Sequence, residues 1–172
     1  MSPVFDFILQ QYSDYGIQDI LLEIIGALFG LISVWYAKKN SIWVYPTGII
    51  STAIYVYLLH KWTLLGDMII NAYYFFMSVY GWYFWSKKQE NVNVNPITST
   101  QPKEYKTTIW LFIASLLFIF CIYQVFDKLK DWTAYVDTLT TAIFFAGMWL
   151  MARRKIENWH FWIVGDIISV PL

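Results

Sequence analysis

Charge and cysteine are what this chain has least of. Only 14% of its 172 residues are Asp, Glu, Lys or Arg, against 58% hydrophobic and 21% aromatic. A soluble core of this length cannot hide that much apolar surface, which excludes an ordinary soluble domain. Twelve basic and twelve acidic residues leave no net charge, and the basic ones sit in small scattered clusters, so no nucleic-acid surface is expected. The single cysteine, Cys121, lies inside the apolar run from Ile109 to Phe126 with no disulfide partner or metal-ligand companion, and reads as a packing residue. The two histidines, His60 and His160, fall at loop ends without metal-ligand spacing. There is no GxxxxGK[ST] loop and no paired nucleophile and base, which argues against an enzyme and implies no cofactor. A basic leader is missing too: Asp6, Asp14 and Asp19 precede the first apolar run, unlike a cleaved signal peptide, so span one is expected to remain.

What is present is a series of long apolar runs. Ile20 to Tyr36, Ile42 to Leu59, Leu64 to Trp85, Ile109 to Phe126 and Trp132 to Met151 are each long enough to cross, or nearly cross, a hydrocarbon core of about 30 Å. A sixth begins at Trp159 and is still apolar at Leu172. The runs are continuous rather than alternating, so the expected class is an all-α integral membrane protein and not a barrel. Alternate loops put Lys38, Lys39, Lys87, Lys88, Lys103, Lys106, Arg153, Arg154 and Lys155 on one side, against Lys61, Lys128 and Lys130 on the other. The richer side should be cytoplasmic, which puts the N-terminus outside a cell membrane crossed several times. Trp82, Tyr83 and Trp85 mark a span end at headgroup level. Residues 87–106, rich in Asn, Thr, Ser and Pro, read as a flexible cytoplasmic linker without chemistry of its own.

Polar residues inside the spans are the candidate functional groups. Asp67, Asn71, Tyr74 and Ser78 share one face of span three, a placement that needs partners or a wet cavity. The duller alternative is a polar seam between helices. On span six, Trp159, Trp162 and Asp166 follow i, i+3, i+7 spacing, laying two indoles and a carboxylate on one face. At 1.5 Å per residue, Asp166 lies about 10 Å deeper than Trp159, where an unpaired carboxylate is unfavourable by at least ~2.5 kcal/mol. A hydroxylated cation would offset this through the ring faces and the acid together. Trp159 and Trp162 as interfacial belt residues, with Asp166 bonded to a neighbouring helix, is the competing reading. Pro46 is expected to kink span two, Gly26 and Gly30 to form a packing pair, and Asp19, Glu23 and Asp137 to sit near outer span ends.

A shift of 118 positions aligns Asp19 with Asp137, Asn40 with Asn158, and Ile49, Ile50 and Ser51 with Ile167, Ile168 and Ser169. It superposes span one on span five and span two on span six, with span four restoring a common orientation, so the halves run parallel. Under it, Trp159, Trp162 and Asp166 face Ser41, Val44 and Gly48. The organisation expected is a single transmembrane domain over residues 1–172: repeat one at 19–85, a linking span at 109–126 and a partial repeat two at 132–172. On this logic span three has a counterpart beyond Leu172, and the chain reads as a truncated seven-span protein of about six spans.

The strings "IWVYPTGIIS", "MSVYGWYFW" and "ARRKIENWHFWIVGDIISVPL" resemble the PnuC family of nicotinamide riboside transporters, and the likeness covers nearly the whole chain. The resemblance implies a parallel three plus one plus three arrangement of helices. It also implies a WxxWxxx(N/D) substrate motif, carried here by Trp159, Trp162 and Asp166; Asn71, Tyr74 and Asp67 are further substrate-binding candidates from the polar face of span three. It further implies passive uptake of a vitamin nucleoside, trapped inside by phosphorylation and feeding NAD biosynthesis. Asn71 stands where family members often carry glutamine, and Asp166 where they often carry asparagine. Thiamine, also a cation, and riboflavin therefore remain alternative substrates. The partners so expected are a small-molecule vitamin and the lipid bilayer, with a homo-oligomer compatible with either.

Overall fold

Backbone groups in hydrocarbon must find hydrogen bonds inside their own segment, and the long apolar runs accordingly become helices. The computed structural model describes residues 16–89, 92–93 and 95–170. The acidic stretch with Asp6 and Asp14, and the last two residues, lie outside the described residues. The helices are α1 (Ile17–Lys38), α2 (Val44–Lys61), α3 (Leu65–Ser86), α4 (Pro102–Val125), α5 (Trp132–Ala152) and α6 (Asn158–Ser169). Between α3 and α4 two short strands, β1 (Lys88–Gln89) and β2 (Val92–Asn93), pair antiparallel. By length and composition α1, α4 and α5 can each cross a membrane. Their outward faces are apolar, with Leu21, Leu31, Trp110, Leu117 and Val125 exposed as lipid requires.

Short connections make successive helices antiparallel. α1 packs on α2 and α2 on α3; α4 packs on α5 and α5 on α6; the two groups meet along α3 and α5. That seam is parallel. Tyr73 stacks on Phe145 at 3.8 Å, Tyr80 on Trp149 at 6.0 Å, and the Trp85 indole donates to the Ala152 carbonyl at 3.2 Å. Two glycines permit close approach elsewhere. A methyl on Gly81 would fall 2.2 Å from the fully buried Tyr45 ring, and one on Gly165 would fall 2.3 Å from Phe144. Asp19 is not a solvated end group: it is buried, and Lys61 donates to both of its oxygens at 2.8 and 2.7 Å, tying the start of α1 to the end of α2.

Three expectations change. Pro46 does not kink α2, because the helix starts at Val44 and places the proline in its first turn, where the missing N–H has no intrahelical partner to lose. The linker is shorter than its composition indicated: α4 starts at Pro102, and Thr98 and Thr100 are bonded to residues of the α5–α6 turn. The repeat register also moves. Lys38 and Ala152 end α1 and α5, Val44 and Asn158 start α2 and α6, and Asn40 and Arg154 both take positive φ, each pair being 114 apart rather than 118. The difference is about one helical turn, so the apolar faces match under either shift.

Candidate functional site

The corrected register sets Trp159, Trp162 and Asp166 of α6 against Tyr45, Gly48 and Thr52 of α2. All six line one cavity of about 530 Å³. That lies within the ~300–1,000 Å³ usual for small-molecule sites. α1, α2 and α3 form one wall, and α5 and α6 the other. The cavity extends from Ala37, Met151 and Trp159 near helix ends to Tyr74 and Phe144 near helix midpoints.

Among the α6 side chains, Trp162 is the one held by its neighbours on α5. Gly147 on α5 lets α6 approach closely, since an added methyl there would stand only 3.1 Å from the Phe161 Cβ, while the Trp162 indole lies at ordinary contact distance, 3.6 Å. Trp162 then stacks on Phe144 at 5.5 Å and 26°. Asp166 follows one turn later as the one charged side chain among the described residues lining the cavity, and no Lys, Arg or His joins it. Two indoles and a carboxylate, with no fixed cation nearby, attract positive charge and repel anions.

The turn before α6 is anchored from the α3–α4 connection. Thr100 donates to Glu157 through its backbone N–H at 2.9 Å and its hydroxyl at 2.7 Å. Lys155 pairs with Glu104 at 2.7 Å and donates to the Thr98 hydroxyl at 2.9 Å. Arg154 reaches the Asn95 carbonyl at 3.1 Å and lies over the Trp85 ring at 4.3 Å. Burial alone would raise the Glu157 carboxyl, but the Thr100 side-chain and backbone bonds, with the charge of Lys155, hold it below the usual carboxylate range.

The polar face of α3 is divided. Tyr74 and Ser78 line the cavity, whereas Asp67 lines a separate pocket of about 320 Å³ with Tyr123, Lys128 and Asp137. There Lys128 pairs with Asp67 at 2.8 Å, and the Tyr123 hydroxyl donates to Asp137. Asn71 lines neither, its amide donating to the Asp67 carbonyl at 3.0 Å. The layer between the two pockets is aromatic, Tyr73 and Tyr74 packing on Phe145. Sequence reasoning did not select Tyr45, Thr52 or Phe144. The first two were recoverable from the repeat, had its register followed the helix ends.

Comparisons with known proteins agree with this architecture. Residues 20–172 match the family described as Nicotinamide mononucleotide transporter. A nicotinamide riboside transporter PnuC of Escherichia coli (strain K12) is 22% identical over 175 residues, covering 88% of this chain and 73% of that protein. One from Neisseria mucosa is 25% identical, covering 90% and 60%. The riboflavin/roseoflavin transporter RibM of Streptomyces davaonensis is 20% identical, covering 87% and 70%. A solved structure, that of the vitamin B3 transporter PnuC, superposes with a TM-score of 0.65 at 20% identity, over 90% of this chain and 67% of the other. The superposition shows a shared helical fold.

Proposed function

Because the chain belongs to the nicotinamide mononucleotide transporter family, a family of membrane transporters and not of enzymes, we propose that it takes up nicotinamide riboside by facilitated diffusion, with the vitamin trapped by phosphorylation in the cytoplasm. The observation that carries this reading is the cavity lining: two indoles and Asp166, with no basic side chain among the described residues. Nicotinamide riboside is a permanent cation bearing a sugar, and it matches that lining. The mononucleotide adds a phosphate, for which the cavity offers no positive partner. Riboflavin is neutral and can offer the acid hydrogen bonds but no ion pair. Thiamine is a cation as well, and so remains the rival to be tested.

The end at which α1 and α5 finish carries Lys38, Lys39, Arg153, Arg154 and Lys155 and faces the cytoplasm on this reading. The membrane is then the bacterial inner membrane. A second copy of the chain is compatible with the exposed apolar faces of α1 and α4, which lipid covers equally well.

Proteoliposomes containing only this chain should accumulate labelled nicotinamide riboside down its gradient, and an excess of unlabelled mononucleotide should not compete. Uptake of thiamine in place of nicotinamide riboside would overturn the assignment. Trp162→Ala should weaken binding by about 1 kcal/mol or somewhat more, read by calorimetry, through loss of the ring face. An unchanged affinity would remove that residue from the site.

A further inference from the structure

Most hydroxyls around the cavity are already committed to backbone carbonyls. Ser33 donates to Val44 at 2.8 Å, Ser51 to Gly26 at 2.8 Å, Thr52 to Gly48 at 2.8 Å and Tyr45 to Met151 at 3.4 Å. These bonds knit α1, α2 and α5 together and commit the proton of each hydroxyl, so that those oxygens can meet a ligand only as acceptors. Ser78 differs. It is only 4% exposed, it lines the cavity, and its hydroxyl has no hydrogen-bond partner among the described residues.

A serine in an apolar helix ordinarily bonds the carbonyl four residues back, as Ser169 does with Gly165 at 2.8 Å. The corresponding bond from Ser78 to Tyr74 is not made. The Ser78 oxygen is not sealed off: it opens onto the cavity, where its proton and both lone pairs are available to a ligand group. The way to it is open because residue 48 is glycine: a methyl there would stand 3.5 Å from the Ser78 oxygen and 3.1 Å from the Ser33 oxygen. Gly48 is thus the gap through which the cavity reaches α3.

We infer that Ser78 is a specificity-determining residue that hydrogen-bonds a sugar hydroxyl of the substrate across the gap at Gly48, opposite the aromatic and acidic face of α6. The inference rests on the reading of the substrate as nicotinamide riboside. It assigns the two walls different tasks: α6 takes the charged ring, and α3 takes the sugar. Apolar packing of Ser78 against α2 would not distinguish one hydroxyl of a ligand from another, whereas this role must.

Calorimetry on the purified full chain would compare nicotinamide riboside with its 2′-deoxy and 3′-deoxy analogues, for the unaltered protein and for Ser78→Ala. The substitution should weaken the parent roughly threefold to tenfold, the span of one net hydrogen bond. It should leave the affinity for one of the deoxy analogues unchanged, which identifies the hydroxyl. Gly48→Ala should weaken the parent as well and abolish the further effect of Ser78→Ala in the double variant. An unchanged parent affinity in Ser78→Ala, an equal loss for all three ligands, or a full Ser78→Ala effect in the Gly48→Ala background would each overturn the inference. Failure of the unaltered protein to bind nicotinamide riboside would instead overturn the substrate reading beneath it.

Discussion

The turn from α1 to α2 and the turn from α5 to α6 share one backbone and carry different loads. In each, a residue of positive φ, Asn40 or Arg154, follows the helix, and the next N–H closes back five residues, Ser41 to Tyr36 and Lys155 to Leu150. This is the hydrogen-bonded helix stop ordinarily made with glycine. Asn40 is exposed, whereas Arg154 and Lys155 are buried beneath residues 95–104. The difference follows what comes next in the chain. α2 is held along its whole length by α1 and α3, while α6, with 12 described residues, packs mainly on α5 and carries the two indoles and the acid. The anchored turn fixes the base of α6, whereas the first turn carries no such anchor and α2 is held by its packing on α1 and α3.

If that is the division of labour, the largest effect comes from the buried cation. Lys155→Ala removes the 2.7 Å pair with Glu104 and the bond to Thr98. Stripping one partner from a buried pair costs about 3–5 kcal/mol, and Glu104 keeps enough contact with solvent to bring the expected loss to about 2 kcal/mol. Ser41, which occupies the corresponding place in the other turn, accepts only a 3.5 Å contact from the Trp43 N–H, so Ser41→Ala should change stability by less than about 0.5 kcal/mol. Thermal unfolding of the two variants in one detergent tests the comparison. Equal losses would show that the load is shared.

Glu157 should make only the second turn sensitive to acid. Its carboxyl is held below the ordinary value of 4.5, so its contribution is fully present above that value and is lost as pH falls through the lower value of the folded state. The matching position in the first turn is Trp43, which does not titrate. Glu157→Gln should cost about 1 kcal/mol at neutral pH, where the charged acceptor is lost, and should reduce the loss of stability below pH about 4.5 without abolishing it, because the Glu104 carboxyl, which burial alone would raise, is also held low by its bonds to Lys155 and the Gln101 N–H. An unaltered acid limb in that variant would place the sensitivity elsewhere.

How far all this could be read in advance depended on what kind of constraint was at work. The spans were legible because hydrocarbon imposes length and apolarity on every residue of a crossing helix. The repeat was legible only to within a turn, since a slip of four residues keeps the same face inward. The pairing of Asn40 with Asn158 was therefore accidental, and the true counterpart of Asn40 is Arg154. The stripe of Asp67, Asn71, Tyr74 and Ser78 gave a face but not a depth, and the aromatic layer of Tyr73, Tyr74 and Phe145 divides that face between two pockets. The anchoring role of residues 95–104 left no local signal. Composition reports that a segment has no core of its own, not that Thr98 and Thr100 will find partners in a turn more than fifty residues later.

The smallest effect is the sharpest test, because it separates backbone from load at one matched pair. Both Asn40 and Arg154 occupy the left-handed region, with φ of 50° and 57°. Glycine relieves the side-chain crowding of that region, and asparagine tolerates it better than arginine does. Asn40→Gly should therefore be neutral to stabilising by up to about 0.5 kcal/mol, with loss of the 3.3 Å bond that its side-chain oxygen accepts from Arg154 as a small offset. Arg154→Gly gains more at the backbone but surrenders the bonds to Asn95 and Asn40 and the stacking on Trp85. Its net effect should be a loss of about 1 kcal/mol, together with weaker ligand binding as α6 loosens. Opposite signs from the same substitution in the same backbone geometry would attribute the difference to what Arg154 holds. A gain from Arg154→Gly would mean that the arginine is tolerated there and anchors nothing.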